Sequence, residues 1–462
     1  MKISNLSQYT HIILALLLCA SCKKQNDFLN AVPNEALTIP KTLTDLQLLL
    51  QNDYIFNQSD PGIGLASSDE FYVSTSDWIN NPGPDQNSYV WAKDIYPGVL
   101  NLPDWNGPYN LIYNANVILD ALPTIERSSN DQQKFNTIKG SALFFRGLTF
   151  YNLVQAFAKP YDSTTATSDL GIPLKLNSNL TDKVIRSSVQ ACYNQIFSDL
   201  NSALSLLPNT SENIEMPTSP AVNGLLSRIY LNIGDYTNAL KYSTSALSSF
   251  NTLMDFNSIT PALYTFTDPS HFPLPEMMYL TCMLNWEFPA FTHGIIDSTL
   301  YNSYDSNDLR KNLYFVKYNN QWRFKGNYQL KRFGYQFDGI ATDELYLNRA
   351  ECYARSGDIN SCLNDLNTLL ITRWKSSTFI PFTAANSNDA LELVLRERRK
   401  ELLFRGLRWP DLRRLNKDSR FAITLTRTIN SSTYTLPPGD PRYVFAIPDQ
   451  EIQLTGIQQN PR

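Results

Sequence analysis

The chain has 462 residues, 43% of them apolar and 12% aromatic, and its 39 basic and 43 acidic residues leave a net charge of −4. That length is ample for a full hydrophobic core, and the mild acidity excludes the basic footprint that nucleic-acid binding needs. Beyond Cys19 and Cys22, the remaining cysteines (Cys192, Cys282, Cys352 and Cys362) form no CxxC pair, and the only histidines are His11, His271 and His293, so no structural zinc site is expected.

The N-terminus reads as an export signal. One basic residue, Lys2, precedes the apolar run Ile12 to Leu18, which is too short to cross a bilayer as a helix but suits a secretory signal core. Small residues then lead into Cys22 in the order Cys19-Ala20-Ser21-Cys22. Residues 1–21 are therefore expected to be a lipoprotein signal peptide, with Cys22 acylated as the first mature residue. Several acyl chains make a stable anchor, since each buried methylene adds about 0.8 kcal/mol. No later run reaches the ~18 apolar residues of a spanning helix, so membrane contact is expected through the lipid alone. Residues 22–462 contain no Gly/Ser-rich or charge-block linker and read as one body.

An irregular stretch rich in Pro, Gly, Asn and aromatic residues runs from Asp53 to Trp105. A helix is then predicted over Asn106 to Leu122, with Tyr109, Ile112, Tyr113, Asn116 and Leu119 on one face and Pro108 in its first turn. Ile138 to Phe157 is apolar nearly all round and predicts a core helix, and Ser188 to Pro208 lies between a capping serine and a terminating proline. "SRIYLNIGDYTNALKY" (Ser227 to Tyr242) is echoed by "AECYARSGDINSCLND" (Ala350 to Asp365). In each, a helical run meets a Gly-Asp turn, where the glycine can close one helix in the left-handed conformation and the aspartate can cap the next. The product is an antiparallel hairpin of tetratricopeptide-like character. Ala239 aligns with Cys362 where the helices approach, so Cys362 is read as packing rather than as a disulfide partner of Cys352.

Between the two hairpins lies a second irregular stretch, Asn251 to Tyr335. Loops this long are functional or disordered, and their aromatic content argues against disorder. The last long helix, Asn386 to Gly406, is amphipathic and ends at a glycine. Its charges interleave as helical pairs, Glu397 with Lys400 and Glu401 with Arg405. Arg398 falls on the apolar phase of Leu391, Val394, Leu395 and Leu402, which predicts burial against an acid such as Asp411. The fold class is mainly α: tetratricopeptide-like helical hairpins with a loop-rich face on which a ligand site is sought.

Several ordered segments carry a family likeness: Cys22 followed by "NDFLNAVPNEAL", "SALFFRGLTFYNLVQAFAKPYD" with "GIPL" behind it, "YNQIFSDLNSALSLLP", the two Gly-Asp hairpins, "RERRKELLFRGLRWPDLRR" and "YVFAIPDQEIQLTGIQQNP". With these the chain resembles, nearly end to end, the SusD/RagB family of outer-membrane lipoproteins. Arg405 departs from the pattern, which commonly has an acidic residue before this glycine. The resemblance implies a SusD-like fold, lipid attachment at Cys22 and exposure at the cell surface. It also implies a SusC-like TonB-dependent barrel as partner, and capture of oligosaccharide or polysaccharide for import without catalysis. The RagB branch allows peptide or protein capture instead, and a pure interaction scaffold is the remaining alternative.

Sugar binding asks for a Trp or Tyr ring against a pyranose face and for Asn, Asp, Gln or Arg at the hydroxyls. Three stretches offer both: Trp78 with Asp77, Asn80 and Asn81; Trp286 with Asn285 and Phe291; and Trp322 with Asn320 and Arg323. Each ring also has a structural reading: Trp78 as the plug of its own loop, Trp286 as strand core, Trp322 as a hairpin residue facing solvent or the barrel. Trp91, Trp105, Trp374 and Trp409 are assigned to the core. Glycoside hydrolysis needs two carboxyls about 5–5.5 Å or 6.5–9.5 Å apart. No motif singles out two among Asp69, Glu70, Asp77, Asp268, Glu276, Glu287 and Asp297, and there is no GxSxG elbow. Asp305 to Arg310 is too short for an EF-hand, so neither a metal nor another cofactor is expected.

Overall fold

The computed structural model describes residues 40–262, 266, 272–328 and 334–462; the expected signal, Cys22, Asp268 and His271 lie outside them. Leu43–Arg462 forms one unit. Its scaffold consists of α1 (Pro103–Ala121), α2 (Gln132–Phe157), α3 (Val189–Leu206), α4 (Ser219–Ile233), α5 (Tyr236–Ser249), α6 (Thr342–Ser356), α7 (Ile359–Ile371), α8 (Ser387–Glu401) and α9 (Arg408–Leu415). Consecutive helices pack together from α1 to α5, then α5 packs on α6, and α6 on both α7 and α8. No described helix is long and apolar enough to cross a membrane.

The two Gly-Asp turns form as their residues predict. Gly234 at φ +84° ends α4, and Asp235 caps α5 by accepting from the Asn238 amide at 3.0 Å. Gly357 at φ +87° and Asp358, which accepts from the Ser361 amide at 3.0 Å, repeat the arrangement between α6 and α7. Ala239 and Cys362 are both fully buried at the matched positions, and Cys192, Cys282, Cys352 and Cys362 are free thiols. Cys362 therefore packs. The central helix α2 is buried along almost all of Ile138 to Phe157, and its Arg146 meets Asp199 of α3 at 2.7 Å.

Three local expectations are corrected. First, α1 starts at Pro103, so Pro108 lies inside the helix, and the buried stripe runs through Trp105, Leu111, Ile112, Ala115 and Ile118, with Tyr109, Tyr113 and Leu119 half-buried. Second, α8 ends at Glu401, and Gly406 serves a close approach, since a Cβ there would meet the Met283 sulfur at 2.7 Å. Third, because the helix stops at Glu401, Arg405 is no longer one turn above it. Glu401 instead lies between Arg310 (2.9 Å) and Arg373 (2.7 Å), while Arg405 turns to Asp343 at 3.3 Å. The pairs Arg398–Asp411 (2.7 Å) and Glu397–Lys400 (2.9 Å) are present.

The two irregular stretches are packed rather than loose. They supply most of a second core that includes Phe71, Val73, Tyr89, Met254, Phe256, Phe288, Tyr304, Tyr314 and Phe315. Small antiparallel sheets tie the second stretch to the chain beyond it, β3 (Met277–Tyr279) with β8 (Ile340–Ala341) and β4 (Cys282–Met283) with β7 (Gln336–Phe337), while β1 (Leu170–Pro173) pairs with β2 (Arg186–Ser188) against α2 and α3. Two hairpins complete them, β5 (Phe315–Tyr318) with β6 (Gln321–Phe324), and β9 (Leu425–Ile429) with β10 (Ser432–Leu436). Trp91, Trp105 and Trp409 are core residues, each 2% exposed. Trp374 is not: just past the end of α7 it is half-buried against Phe379 and Phe382.

Candidate functional site

The β5–β6 hairpin sorts one predicted segment into two faces. Asn319 and Asn320, at φ +47° and +60°, form its two-residue turn, a conformation asparagine tolerates well. Val316 then opposes Arg323, Lys317 opposes Trp322, and Tyr318 opposes Gln321. Side chains alternate along a strand and opposed residues share a face, so Tyr318, Gln321 and Arg323 point one way and Trp322 and Phe324 the other. Trp322 stacks on Tyr301 at 3.9 Å and 16°, and Phe324 on Phe404 at 4.6 Å. Trp322 thus faces the second core, and Arg323 does not share its face.

The other two tryptophans also turn inward. Trp78 lies on the short helix Thr75–Asn80, half-buried against the second core. Its indole N–H donates to the Gln86 carbonyl at 3.0 Å and the Gln86 side chain donates back to the Trp78 carbonyl at 3.0 Å, so the ring plugs its own loop. Asn81 donates to the Asp77 carbonyl at 2.8 Å, and Asn80 is exposed. Trp286 is only 8% exposed and directs its indole N–H at the Asp104 carboxylate at 3.2 and 3.3 Å. It is a core ring and leaves the ligand platform; its neighbour Asn285 is exposed.

What the three segments do bring together is a different set. The Asp77 carboxylate accepts from the Ser74 hydroxyl at 2.6 Å and lies 3.2 Å from His293 Nδ1. Phe291, two residues before that histidine, has its ring 5.7 Å from Tyr318. Tyr72 is held by a backbone bridge to Ile295, 2.8 Å in both directions, and projects outward between the buried Phe71 and Val73. Tyr72 and Tyr318 are 43% and 49% exposed. Arg323 lies within electrostatic reach of Asp77, Tyr72 and Tyr318. Tyr72, Tyr318 and His293 escaped the sequence reading, although an outward ring between two inward apolar residues in "FYV" is the ordinary signal of a strand edge.

The charges here are unequally satisfied. Burial pushes the Asp77 carboxyl up, but the Ser74 and His293 hydrogen bonds more than offset it, so it lies below the usual range. Burial lowers the Arg323 guanidinium. Its Nη2 is bonded to Gln321 at 2.8 Å, and Nε and Nη1 have no hydrogen-bond partner among the described residues.

A groove of about 460 Å3 adjoins this face and shares Tyr72 with it. Asp69, Asp297, Arg399 and Arg427 line it together with Tyr89 and Trp91. Arg427, on β9, stacks its guanidinium 3.6 Å from the Tyr89 ring centre and 4.9 Å from that of Trp91. Its Nη2 donates to the Ser68 carbonyl, while Nη1 has no partner among the described residues. Burial pulls this guanidinium down to about 10.

The described acids are largely committed elsewhere. Asp69 is held by both arms of Arg408 (2.6 and 2.8 Å), and Asp297 accepts the Thr299 and Leu300 amides (2.7 and 3.1 Å). Glu276 is bonded to Arg373 (2.8 Å) and Tyr328 (2.6 Å). Glu70 accepts the Phe404 amide at 2.8 Å and is pushed by burial up to about 7. Asp77 and the exposed Glu287 flank His293 at 3.2 and 3.8 Å. Glu276, Asp343 and Glu401 converge to within 4.8 Å in the core, but Arg373, Arg405 and Arg310 already supply the positive charge at that point.

A helical-hairpin scaffold carrying a loop-built aromatic face is the architecture of a known class, and the comparisons identify it. A family model described as starch-binding and associating with the outer membrane matches residues 27–231, and the SusD family model matches residues 342–462. The chain belongs to the SusD/RagB family. Among curated proteins, the SusD-like protein P2 of Formosa agariphila is 27% identical over 135 residues, which is 29% of this chain and only 25% of that protein. A SusD superfamily protein from Bacteroides thetaiotaomicron superposes with a TM-score of 0.72 at 23% identity, covering 91% of this chain and 100% of its own. A SusD-like carbohydrate binding protein from Bacteroides vulgatus gives 0.70 at 20% identity, over 90% and 97%. A laminarin binding SusD-like protein gives 0.67 at 18%, over 91% and 100%. These superpositions show the fold.

Proposed function

We propose that this chain is a non-catalytic glycan-binding protein. Its loop face captures oligosaccharide or polysaccharide for import through a SusC-like TonB-dependent barrel, and acyl chains on Cys22 anchor it in the outer membrane with that face toward the cell exterior. The observation that carries the reading is the convergence of Tyr72, Tyr318 and Phe291 with Asp77, His293 and Arg323 on one side of the second core. Exposed tyrosine rings suit the apolar faces of pyranoses, and the acid, imidazole and guanidinium suit their hydroxyls. Asn80, Asn285 and Asn320 are exposed amides for the rim of the site. The family match and the carbohydrate- and laminarin-binding neighbours support the ligand class.

Isothermal titration against a panel of neutral and acidic glycans tests the proposal. Binding to at least one glycan is expected, weakened about tenfold by Tyr318→Ala, since an aromatic contact is worth about 0.5–1.5 kcal/mol beyond its burial. A folded protein that binds no member of the panel would overturn it. Mass spectrometry of the N-terminal peptide tests the anchor, with an unacylated N-terminus as the contrary result.

A further inference from the structure

We infer that the groove beside the aromatic face takes an anionic sugar, bearing either a uronate carboxylate or a sulfate ester. The inference rests on the glycan reading above and narrows it. Removing a guanidinium from water is costly unless a counter-charge or a full set of hydrogen bonds replaces the solvent. Among the described residues, most buried arginines meet that condition with a carboxylate: Arg146 with Asp199, Arg228 with Glu344, Arg310 with Asp308 and Arg398 with Asp411.

Arg323 and Arg427 do not. They are 4% and 7% exposed, neither makes a described salt bridge, and each keeps N–H groups without acceptors. Both belong to the same loop-built region, Arg427 lining the groove and Arg323 within reach of Tyr72 at its edge. The partly exposed Arg399 also lines the groove, and its Nε has no partner.

Two carboxylates lie on the same walls, and both are spent. Asp69 is neutralised by Arg408 and by Arg399 at 3.0 Å, and Asp297 is bound to two backbone amides. An anion in the groove that Arg399 and Arg427 line adds a counter-charge for Arg427, which has no described salt bridge, and a second one for Arg399, which shares Asp69 with Arg408. The rings of Tyr89, Trp91 and Phe71 around Arg427 compensate it in part and fix its position.

The test uses the folded chain and three oligosaccharides of equal length: an oligogalacturonate, a sulfated galactan and a neutral β-glucan. They are titrated at low ionic strength and again near 0.5 M NaCl, where charges are screened within a few ångströms. One of the two anionic ligands is expected to bind about tenfold or more tighter than the neutral one at low salt, the worth of a charge-assisted hydrogen bond. That advantage should shrink severalfold at high salt. Arg399→Gln and Arg427→Gln should each reduce the anionic-to-neutral ratio about tenfold. If Arg427→Gln does not fold, the salt dependence of the unaltered chain decides the matter. Neutral glycan bound as tightly as both anionic ligands, or an anionic advantage insensitive to salt, overturns this inference and leaves the glycan reading standing. No binding to any of the three overturns this inference, while the glycan reading is decided by the wider panel. The comparison of uronate with sulfate says which anion is selected.

Discussion

The helical array and the loop-built region bury positive charge in opposite ways. On the helices, Arg146, Arg228, Arg398 and Arg414 each meet a carboxylate within 2.6–2.8 Å. Arg413 is the exception and donates to the Gln155 and Ala158 carbonyls. At the seam, Arg310 serves Asp308, Glu397 and Glu401 together, while Arg373 serves Glu276 and Glu401. Within the loop-built region, Arg323 and Arg427 make no described salt bridge: Arg323 donates to the Gln321 amide oxygen, with Asp77 acting on it only at longer range, and Arg427 donates to the Ser68 carbonyl against the Tyr89 ring. A scaffold can satisfy its charges internally because its partners never change, whereas a surface built to receive a ligand can leave a charge for the ligand to complete.

The sharpest way to break this contrast is to delete the cations. Arg310→Met takes a shared cation from three buried carboxylates, leaving Glu401 to Arg373 and Glu397 and Asp308 to Lys400, and should cost about 3–5 kcal/mol in urea denaturation. Arg427→Met strands none and should cost about 1 kcal/mol, the worth of its carbonyl hydrogen bond. Equal losses would dissolve the distinction.

A second comparison sets a core ring against a surface ring. Trp286→Ala should cost about 3–5 kcal/mol of stability by leaving a cavity. Tyr318→Ala should change stability by about 0.5 kcal/mol or less and show its effect in glycan affinity. A stable Trp286→Ala variant with weakened binding would return Trp286 to the ligand platform.

The third test is a pH profile. Burial raises the carboxyls of Glu70, Asp104 and Asp343 to about 7, 6 and 7 in the folded chain. Unfolded, they titrate near 4. The folded state therefore binds more protons across that window, and stability falls as pH rises from about 4 toward 7. Glu70→Gln cannot ionise and can still accept from the Phe404 amide. It should exceed the parent by about 1–3 kcal/mol at pH 8 and match it near pH 4. A constant difference across that range would place the shift elsewhere. A modest effect belongs to the hairpin turns, where Gly234→Ala and Gly357→Ala should each cost about 1 kcal/mol in thermal or urea denaturation.

Much of the scaffold was legible from residues alone. Capping, left-handed glycines and the phase of apolar positions act within a few residues, so the two hairpins, the buried helix α2 and the Arg398–Asp411 pair follow from short-range rules. Where a boundary moved, the rule moved with it: ending α8 at Glu401 sent Arg405 to Asp343, sixty-two positions away in sequence. The candidate site was legible only as a region. The aromatic loops do present exposed rings, but Trp78, Trp286 and Trp322 turn inward, and the exposed rings are tyrosines that no motif singled out.

The amino-acid sequence by itself determined the helices, their turns and the two aromatic loop regions, because each depends on neighbours along the chain. Only the tertiary structure decided which rings meet solvent and which arginines go without a salt bridge. Trp286 is buried through Asp104, 182 residues away, and Tyr72 is turned outward by its bridge to Ile295. Exposure and charge pairing arise where remote segments meet, and no local pattern encodes that meeting.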